Sequence, residues 1–469
     1  MSVGSIVVDG RLIPIPDGWM EGDVVVGVPP GRAVVIPKSA MTQAADAVHA
    51  AERARQSLTK ARFDSIIEFY RQFAARLADD HVFASIARAN EEDVAGAKAR
   101  GRATGRLHLD AAMRAAMVGA VDISSRQGDA RDQMLEHVVH PGWMVEIRRA
   151  PLGVVGFVFE GRPNVLTDAT GVLSGGNTCV FRIGRDALGT ARAIMEVAVR
   201  PSLEQAGLPS DAIVLLDDPS HESALALMAQ RGVGLAVARG SGSAVRDLGA
   251  VARQFGVPVS LHGTGGAWMI VCGDADPSRV RAVVEHSLDR KVCNTLNVVC
   301  LVGARASEFA PHVAEGAVAA ARARSTTPVV HLLSGVNPSW FEGCDVRSDA
   351  DDILGTEWEW DDRPELTVFV RKELTEALDA FNRWSPRFVV SVLTGSEEQF
   401  SECWERLDAP FVGDGMTRWV DGQYALGRPE LGLSNWEDGR LLGRGAILSG
   451  RDVASIRYRV RQSDPDLHR

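Results

Sequence analysis

The chain has 469 residues, of which 45% are hydrophobic and 24% are charged. This length suggests about three domains of roughly 150 residues each, and the composition is that of a globular protein rather than of a disordered chain. Lys and Arg number 51 against 61 Asp and Glu, so the formal net charge is −10. This charge argues against nucleic-acid binding, because that function needs a positively charged surface.

No apolar run reaches the ~18 residues that a membrane helix needs. Residues 1–23 lack the basic start and the longer apolar run of a secretory signal, so we expect a cytoplasmic protein. The six cysteines form no C-x-x-C pair, which makes zinc and redox motifs weak interpretations, and we expect no metal. Cys179, Cys272 and Cys300 lie in or at the end of apolar strand-like runs, where a thiol serves as a small buried hydrophobe.

The first part of the chain predicts short strands followed by a helical layer. Residues 1–42 contain turn signals, among them an Asp-Gly pair at Asp9. Residues 43–123 are rich in Ala and Arg, and apolar residues recur there at three- and four-residue steps, which is typical of one buried helical face. The residues of this apolar face are Phe63, Ile66, Ile67, Tyr70, Phe73 and Leu77.

From Pro151 onward, apolar strands alternate with helical segments, which predicts an α/β fold with a largely parallel sheet. Helices are predicted at 187–199, 220–230 and 277–289. The predicted strands are 152–159, 177–183, 212–216, 234–238, 257–261, 267–271, 297–302, 329–333, 366–370 and 388–393. Residues 455–460 alternate polar and apolar side chains, so this segment can form an edge strand exchanged between chains.

Cys293 differs from the other cysteines because it lies between a predicted helix and a predicted strand, just after Arg290 and Lys291. Neighbouring cations lower the pKa of a thiol and favour the thiolate, which is the reactive nucleophile. Cys293 is therefore a candidate catalytic residue. An ordinary loop cysteine is the alternative.

Three more segments follow predicted strands, where ligands bind in open α/β sheets. After the strand predicted at 152–159, Asn164 can stabilise an oxyanion and Arg162 can hold an anion, although the same residues also suit a helix start. After the strand predicted at 177–183, Arg182 and Arg185 suit the 2′-phosphate of NADP, with a solvated loop as the alternative. The segment RGSGS at 239–243 lets backbone amides approach a phosphate, but it lacks the third glycine of a dinucleotide fingerprint.

The combination of motifs resembles the glutamate-5-semialdehyde dehydrogenase (γ-glutamyl phosphate reductase) family, a branch of the aldehyde dehydrogenase superfamily. The similarity covers residues 43 to about 460. Its motifs are PLGVVG at 151–156, EGRPNV at 160–165, SGGN at 174–177, VCNT at 292–295, the C-terminal signature TR at 417–418, DG at 421–422, LG at 426–427, ELGLS at 430–434, and GRG at 443–445. Together they are specific, although no single one of them is.

The resemblance implies a cysteine mechanism with NADP(H) as cofactor. The thiolate of Cys293 attacks an acyl phosphate, phosphate leaves, and a hydride from NADPH reduces the thioester to an aldehyde. Asn164 would stabilise the oxyanion, and Glu357 would hold the nicotinamide ribose. Residues 260–266 (SLHGTGG) carry no carboxylate where hydrolytic aldehyde dehydrogenases have a glutamate base, which suits an enzyme that must not activate water.

Cofactor contacts are predicted at Arg182, Arg185, Gly240, Ser241 and Glu357. Three arginines within the motifs, Arg162, Arg418 and Arg444, are assigned to the anionic substrate, with pairing to a nearby carboxylate as an equal alternative for each.

The resemblance also implies a Rossmann-type cofactor domain, an α/β catalytic domain and a small β oligomerisation arm. The predicted bounds are 1–42 for an N-terminal extension, 43–260 for the NADP-binding domain with an oligomerisation hairpin near 135–150, 261–435 for the catalytic domain, and 436–469 for a segment completing the arm. A homo-oligomer, dimer or tetramer, is expected, and an acyl-phosphate-forming kinase is a candidate partner.

Several departures from the family pattern surround the expected substrate pocket. Trp268 replaces a family histidine, and the family's histidine segment G-x-x-H-x-D-x-I reads WSPRFVV at 384–390, which includes Arg387. Two alternatives to the leading interpretation therefore stay open. One is a diverged aldehyde dehydrogenase acting on a different amino-acid-derived aldehyde or acyl thioester, and the other is a non-catalytic scaffold.

Overall fold

The computed structural model describes residues 4–102, 104–105, 107–159, 161–420, 422–432, 436–437, 440–441 and 445–468. It divides into two compact units. The first comprises Met1–Gly263, Leu426–Gly432 and Ile447–Arg469, and the second comprises Thr264–Ala425 and Leu433–Ala446. Within the described ranges, no helix has the length and apolar character required to cross a membrane.

The first unit begins with two antiparallel hairpins and four helices. The hairpin strands are β1 (Ser5–Val8), β2 (Arg11–Pro14), β3 (Val24–Val28) and β4 (Arg32–Ile36). The turn between β1 and β2 uses Asp9 and Gly10 with positive φ, the conformation that an Asp-Gly pair favours in a tight hairpin. The helices are α1 (Lys38–Lys60), α2 (Phe63–Ala78), α3 (Asp80–Ala99) and α4 (Ala111–Ser125).

Helix α2 carries the apolar face predicted from its periodicity. Ile66, Tyr70, Phe73 and Leu77 are fully buried, and Phe63 and Ile67 are half-buried. The Tyr70 hydroxyl donates to the carbonyl of Thr170 at 2.9 Å, which satisfies the polar atom of a fully buried side chain. Helix α2 therefore packs into the core of the first unit through this apolar face.

A five-stranded parallel sheet forms the centre of the first unit. Its strands lie in the order β11-β10-β7-β8-β9. The strands β5 (Met134–His140) and β6 (Trp143–Pro151) precede this sheet. The elements that follow are β7 (Val154–Phe159), α5 (Val165–Ala169), β8 (Thr178–Ile183), α6 (Leu188–Ile194), α7 (Arg200–Gln205), β9 (Ile213–Leu216), α8 (His221–Met228), β10 (Val233–Arg239), α9 (Gly242–Gln254) and β11 (Val259–His262).

All six residues of β7 are buried, as expected of a central parallel strand covered on both faces. The strand order reverses between β7 and β10, and ligands bind at such a point outside the carboxyl ends of the strands. The motif segments 161–165 and 239–243 therefore both lie at this reversal.

The second unit holds a seven-stranded parallel sheet in the order β15-β14-β16-β13-β12-β17-β18. Its elements are β12 (Ala267–Val271), α10 (Pro277–Ser287), β13 (Leu296–Val302), α11 (Ala306–Arg322), β14 (Val329–Leu332), β15 (Asp345–Ser348), β16 (Glu365–Arg371), α12 (Leu374–Trp384), β17 (Val389–Leu393), α13 (Glu397–Arg406) and β18 (Phe411–Gly413). The predicted α/β fold with parallel sheets is confirmed.

The last elements are short until the final strand. They are α14 (Gly422–Leu426), β19 (Glu430–Gly432), β20 (Trp436–Glu437), β21 (Arg440–Leu441), β22 (Leu448–Ser449) and β23 (Ala454–Gln462). β23 pairs with β6 from Ala454–Pro151 to Gln462–Trp143, in the order β23-β6-β5. The expected edge strand therefore exists, and it pairs within its own chain rather than in an exchange. We call this three-stranded sheet the arm.

Candidate active site

Cys293 lies, as predicted, on the loop that joins α10 to β13. Residues 288–295 close this loop through local hydrogen bonds, and two of them involve the side chain of Thr295. Its hydroxyl donates to the carbonyl of Arg290 at 2.6 Å and accepts from the amide of Val292 at 2.9 Å. The Cys293 side chain is half-buried. The loop therefore holds the thiol in a fixed turn without enclosing it.

Two glycines pack directly against Cys293. A Cβ atom added at Gly265 would lie 2.5 Å from the carbonyl oxygen of Cys293 and 2.7 Å from its Cα, well inside normal carbon contact distance. The amide of the next residue, Gly266, donates to that same carbonyl at 2.7 Å, and Gly266 has a φ of +98°. Only glycine suits these two positions, because one requires close backbone approach and the other a left-handed conformation.

Asn294, the residue after Cys293, is held by residues 417–420 of the same unit. The Asn294 amide donates to the carbonyl of Val420 at 2.5 Å, and the Thr417 hydroxyl donates to the carbonyl of Asn294 at 2.7 Å. Arg418 donates to the side-chain oxygen of Asn294 and, at 2.6 Å, to Asp289. The structure thus favours the carboxylate-pairing alternative for Arg418 over the predicted role in substrate binding.

Glu357 lies beside the same loop and is engaged there. Its carboxylate accepts from the Lys291 ammonium at 2.6 Å and from the Gly265 amide at 2.7 Å. The Lys291 side chain is 4% exposed and that of Glu357 is 17% exposed, so this is a largely buried ion pair supported by an additional hydrogen bond. Lys291, predicted only as a positive neighbour of Cys293, therefore binds Glu357.

The other five thiols are less suited to act as nucleophiles. Burial raises the pKa of Cys272 to about 12 and the pKa values of Cys344 and Cys403 to about 11. Burial also raises the pKa values of Cys179 and Cys300 strongly, and both side chains are fully enclosed. This confirms the packing roles predicted for Cys179, Cys272 and Cys300, because buried protonated thiols are unreactive.

In the first unit, Arg162 and Asn164 follow β7. Pro163 is buried, and α5 begins directly after Asn164. The Asn164 amide donates to the Asp168 carboxylate at 3.1 Å. The predicted oxyanion donor is therefore bound to a carboxylate here, and its catalytic role stays a prediction.

The carboxyl ends of β10 and β11 add two groups, Arg239 and His262, at the same sheet edge as Arg162. The Arg239 guanidinium lies over the Phe159 ring at 5.8 Å. His262 is buried, and its burial, together with the charges of Arg239 and Arg162, lowers its pKa to about 3. His262 is therefore neutral at physiological pH and leaves the two arginines as the positive groups there.

Gly240 and Ser241 connect β10 to α9. The Gly240 amide donates to the carbonyl of His262 at 3.2 Å. A Cβ atom at Gly263 would lie 3.1 Å from the Cα of Gly242, so two backbones approach closely at the N-terminus of this 13-residue helix. Helix N-termini of this kind attract phosphates, which is what the predicted cofactor contact at Gly240 and Ser241 requires.

The two arginines after β8 differ in their surroundings. Arg182 donates from one guanidinium nitrogen to the carbonyls of Pro219 at 2.5 Å and Ser220 at 2.7 Å, and burial lowers its pKa. Its Nε is buried without a hydrogen-bond partner among the described residues. Arg185 is exposed. Arg182 is thus partly committed to the protein backbone, whereas Arg185 faces solvent.

Two predicted pocket residues need correction. Trp268 is fully buried inside the second unit, with its ring edge-on to Phe369 and Phe381 at 5.6 Å each, so it belongs to the core and lines no pocket. Arg387 is paired with Asp408 at 3.3 Å, so its positive charge is offset within the protein. Arg444 lies outside the described residues, as do motif positions 160, 421, 433–434 and 443.

Comparisons with known proteins agree with this architecture. Residues 30–329 match the aldehyde dehydrogenase family. The chain is 29% identical over 384 residues to γ-glutamyl phosphate reductase of Streptococcus gordonii, covering 80% of this chain and 88% of that protein. It is 28% identical over 393 residues to the enzyme of the same name from Streptococcus pneumoniae, covering 81% and 90%.

Solved structures show the same fold. The crystal structure of γ-glutamyl phosphate reductase from Thermotoga maritima superposes with a TM-score of 0.77 at 22% identity, covering 91% of this chain and all of that chain. A glyceraldehyde-3-phosphate dehydrogenase from Methanocaldococcus jannaschii, solved with NADP, gives a TM-score of 0.63 at 13% identity, covering 95% of this chain and all of that chain. The chain is an oxidoreductase that belongs to the aldehyde dehydrogenase family.

Proposed function

We propose that this protein is an NADPH-dependent reductase of γ-glutamyl phosphate or a close acyl phosphate. One observation supports this most directly. Cys293 is a half-buried thiol fixed on a loop by Gly265 and Gly266, while burial disfavours the thiolates of the other cysteines. Its local motif and the relatives named γ-glutamyl phosphate reductase point to the same chemistry.

The proposed reaction has two steps at Cys293. The thiolate attacks the carbonyl carbon of the acyl phosphate, the C–O bond to phosphate breaks, and a thioester forms. A bound nicotinamide cofactor would supply the hydride that reduces this thioester. The tetrahedral centre then collapses, so that the aldehyde leaves and the thiolate is restored. In this proposal Asn164 donates its amide to the developing oxyanion.

Water must be kept from the thioester, and the sequence supports this. Residues 260–266 contain no carboxylate, so the segment that carries a glutamate base in hydrolytic aldehyde dehydrogenases offers no general base for water here.

The unmodified glutamyl substrate is favoured over a longer or more acidic one. The alternative of a different substrate rested on the departures at Trp268 and Arg387 around the expected pocket. Trp268 is a core residue and Arg387 is paired with Asp408. Arg162 remains our candidate for binding substrate anions, and Arg444 stays a sequence-based prediction.

The substrate is tested in the oxidative direction. Glutamate semialdehyde, a shorter analogue, a longer analogue and an N-acylated analogue are each oxidised with NADP+ in the presence and absence of phosphate. We expect glutamate semialdehyde to have a kcat/KM at least about tenfold above each analogue, since one methylene is worth about that much, and turnover to require phosphate. A preference for an analogue would instead identify a diverged dehydrogenase, and no turnover with any aldehyde would support a scaffold.

NADP(H) is the proposed cofactor, and the residues present fit it. The glycine segment at the N-terminus of α9 suits a pyrophosphate. Arg185 is exposed after β8, and the Nε of Arg182 there is buried with no hydrogen-bond partner in the described part of the chain. A guanidinium can make charge-assisted bonds to a 2′-phosphate. Gly240, Ser241 and Glu357 complete the proposed contacts.

The two arginines should respond differently to substitution. Arg185→Ala should reduce the preference for NADP+ over NAD+ by about tenfold or more, the loss of one charge-assisted contact, with an unchanged melting temperature. Arg182→Ala should also lower the melting temperature, because two carbonyls before α8 lose their donor. Cofactor titrations and thermal melts of both variants test this. Equal affinity of the unmodified protein for NADP+ and NAD+ would contradict the assignment.

The arm is the proposed surface for association into a homo-oligomer. Its strands expose Val139, Ile456, Tyr458 and Val460 by more than half of their side chains, and exposed apolar side chains grouped on one sheet mark association sites. Dimer or tetramer formation, a kinase partner and a cytoplasmic location remain predictions.

A further inference from the structure

A buried histidine lies between two carboxylates in the second unit. His331 is on β14, and its side chain is 4% exposed. Its Nδ1 is 2.7 Å from the Asp349 carboxylate, and its Nε2 is 2.8 Å from the Glu365 carboxylate. The imidazole ring is therefore fixed in place by a carboxylate at each of its two nitrogens.

The imidazole ring is also the support for an indole ring. Trp358 stacks on His331 with ring centroids 3.8 Å apart and planes inclined by 7°. The indole N–H donates to the Thr367 hydroxyl at 2.9 Å. Stacking of two aromatic rings is favourable beyond the burial of their area. His331 is thus held by its carboxylates and in turn holds Trp358.

Trp358 immediately follows Glu357, and the backbone on both sides of Glu357 is fixed. The Asn297 side chain accepts from the amide of Trp358 at 2.9 Å and donates to the carbonyl of Thr356 at 2.8 Å. Contacts therefore run without interruption from His331 through Trp358 to the Glu357 carboxylate. That carboxylate accepts from Gly265, which packs on Cys293.

We propose that His331 is a positioning residue, which sets the place of the Glu357 carboxylate through the stacked Trp358 and thereby determines the affinity for the nicotinamide cofactor. This rests on the proposed function, in which Glu357 contacts the nicotinamide ribose. The charged groups facing His331 are Asp349, Glu365 and, 3.6 Å from Glu365, Arg347. None of them reaches the ribose-binding carboxylate directly, so the stacked ring is the route.

The first test is His331→Gln in the full-length protein. The control is His312→Gln, at a partly exposed histidine on α11. A glutamine donates at one end and presents an oxygen at the other, so one carboxylate then faces an acceptor. Isothermal titration should show NADP+ binding weakened about tenfold, the usual scale for a displaced binding group, while kcat at saturating cofactor stays within about twofold. The control should bind like the unmodified protein.

Rescue distinguishes positioning from a general loss of packing. In the double variant His331→Gln with Glu365→Gln, the second amide donates to the glutamine oxygen. These complementary hydrogen bonds hold the planar amide of residue 331 against the Trp358 ring in place of the imidazole, so NADP+ affinity should return to within about threefold. A double variant that binds no better than His331→Gln would overturn the proposal.

A second pair of variants avoids an unpaired buried charge. Trp358→Phe and Trp358→Leu both lose the indole N–H, but only Phe keeps a ring on His331. We expect Leu to bind NADP+ about tenfold more weakly than Phe, and equal affinities would overturn the proposal. Failure of the unmodified protein to bind either nicotinamide cofactor would overturn the proposed function itself. Binding by the unmodified protein with unaltered binding by His331→Gln would overturn only the role of His331.

Discussion

Replacing Cys293 by alanine is expected to lower turnover about a thousandfold or more, because the thioester can no longer form. The fold should be retained, since alanine removes only the sulfur atom of a half-buried side chain. The backbone bond from Gly266 to residue 293 does not depend on that side chain. The phosphate-dependent oxidation assay measures the loss, and a thermal melt and an NADP+ titration establish that the variant is folded and binds cofactor.

Cys344→Ala is the matched control for this substitution. Cys344 is also half-buried, and burial raises its pKa to about 11, so its removal should leave turnover unchanged. Retention of more than a trace of activity in Cys293→Ala would rule out covalent catalysis through this thiol.

Gly265→Ala is expected to damage the site although it replaces none of the reacting side chains. The added methyl group would meet the carbonyl oxygen, the Cα and the Cβ of Cys293 at 2.5, 2.7 and 2.9 Å, so the loop must move by about an ångström, a misplacement that costs about a hundredfold in rate. Overpacking of this kind also destabilises a protein by about 1–3 kcal/mol. Both kcat/KM and the free energy of unfolding should therefore fall.

Gly273→Ala in the same unit separates this effect from the general cost of a new side chain. A Cβ atom there would come only within 3.9 Å of the carbonyl of Val302, an ordinary contact. We expect it to be nearly silent in both measurements. If Gly265→Ala kept full activity, the close approach at Cys293 would not matter for catalysis.

The fold was largely predictable because its parallel strands are continuous apolar runs. The strand Ala267–Val271 has the predicted bounds. The strand predicted at 257–261 instead begins at Val259, where pairing with Ala236 of the neighbouring strand starts. Strand ends depend on a neighbour that lies far away in the sequence, so composition alone cannot locate them. The loop position of Cys293 was predictable for the same reason as the strands, because it falls between two strong local patterns.

The surroundings of individual side chains were harder to predict. Trp268 belongs to a strand buried on both faces, and such a strand has no polar alternation that tells which way a side chain points. The pairing of Lys291 with Glu357 joins residues 66 positions apart, and nothing local in either segment indicates it. Gly265 was visible as part of a glycine pair, yet only the structure shows that Cys293 packs on it.

The route of the chain has a consequence for its synthesis on the ribosome. The first unit includes Leu431, Leu448 and Val453 in its core and β23 along the edge of β6, yet these segments are made only after Thr264–Ala425, the larger part of the second unit, has been translated. At about 5–20 residues per second, the roughly 200 residues that follow Gly263 take about 10–40 s. During that time β6 offers an unpaired edge, which can pair with a neighbouring nascent chain. Chaperone demand during translation should therefore be set by the arrival of the final strand.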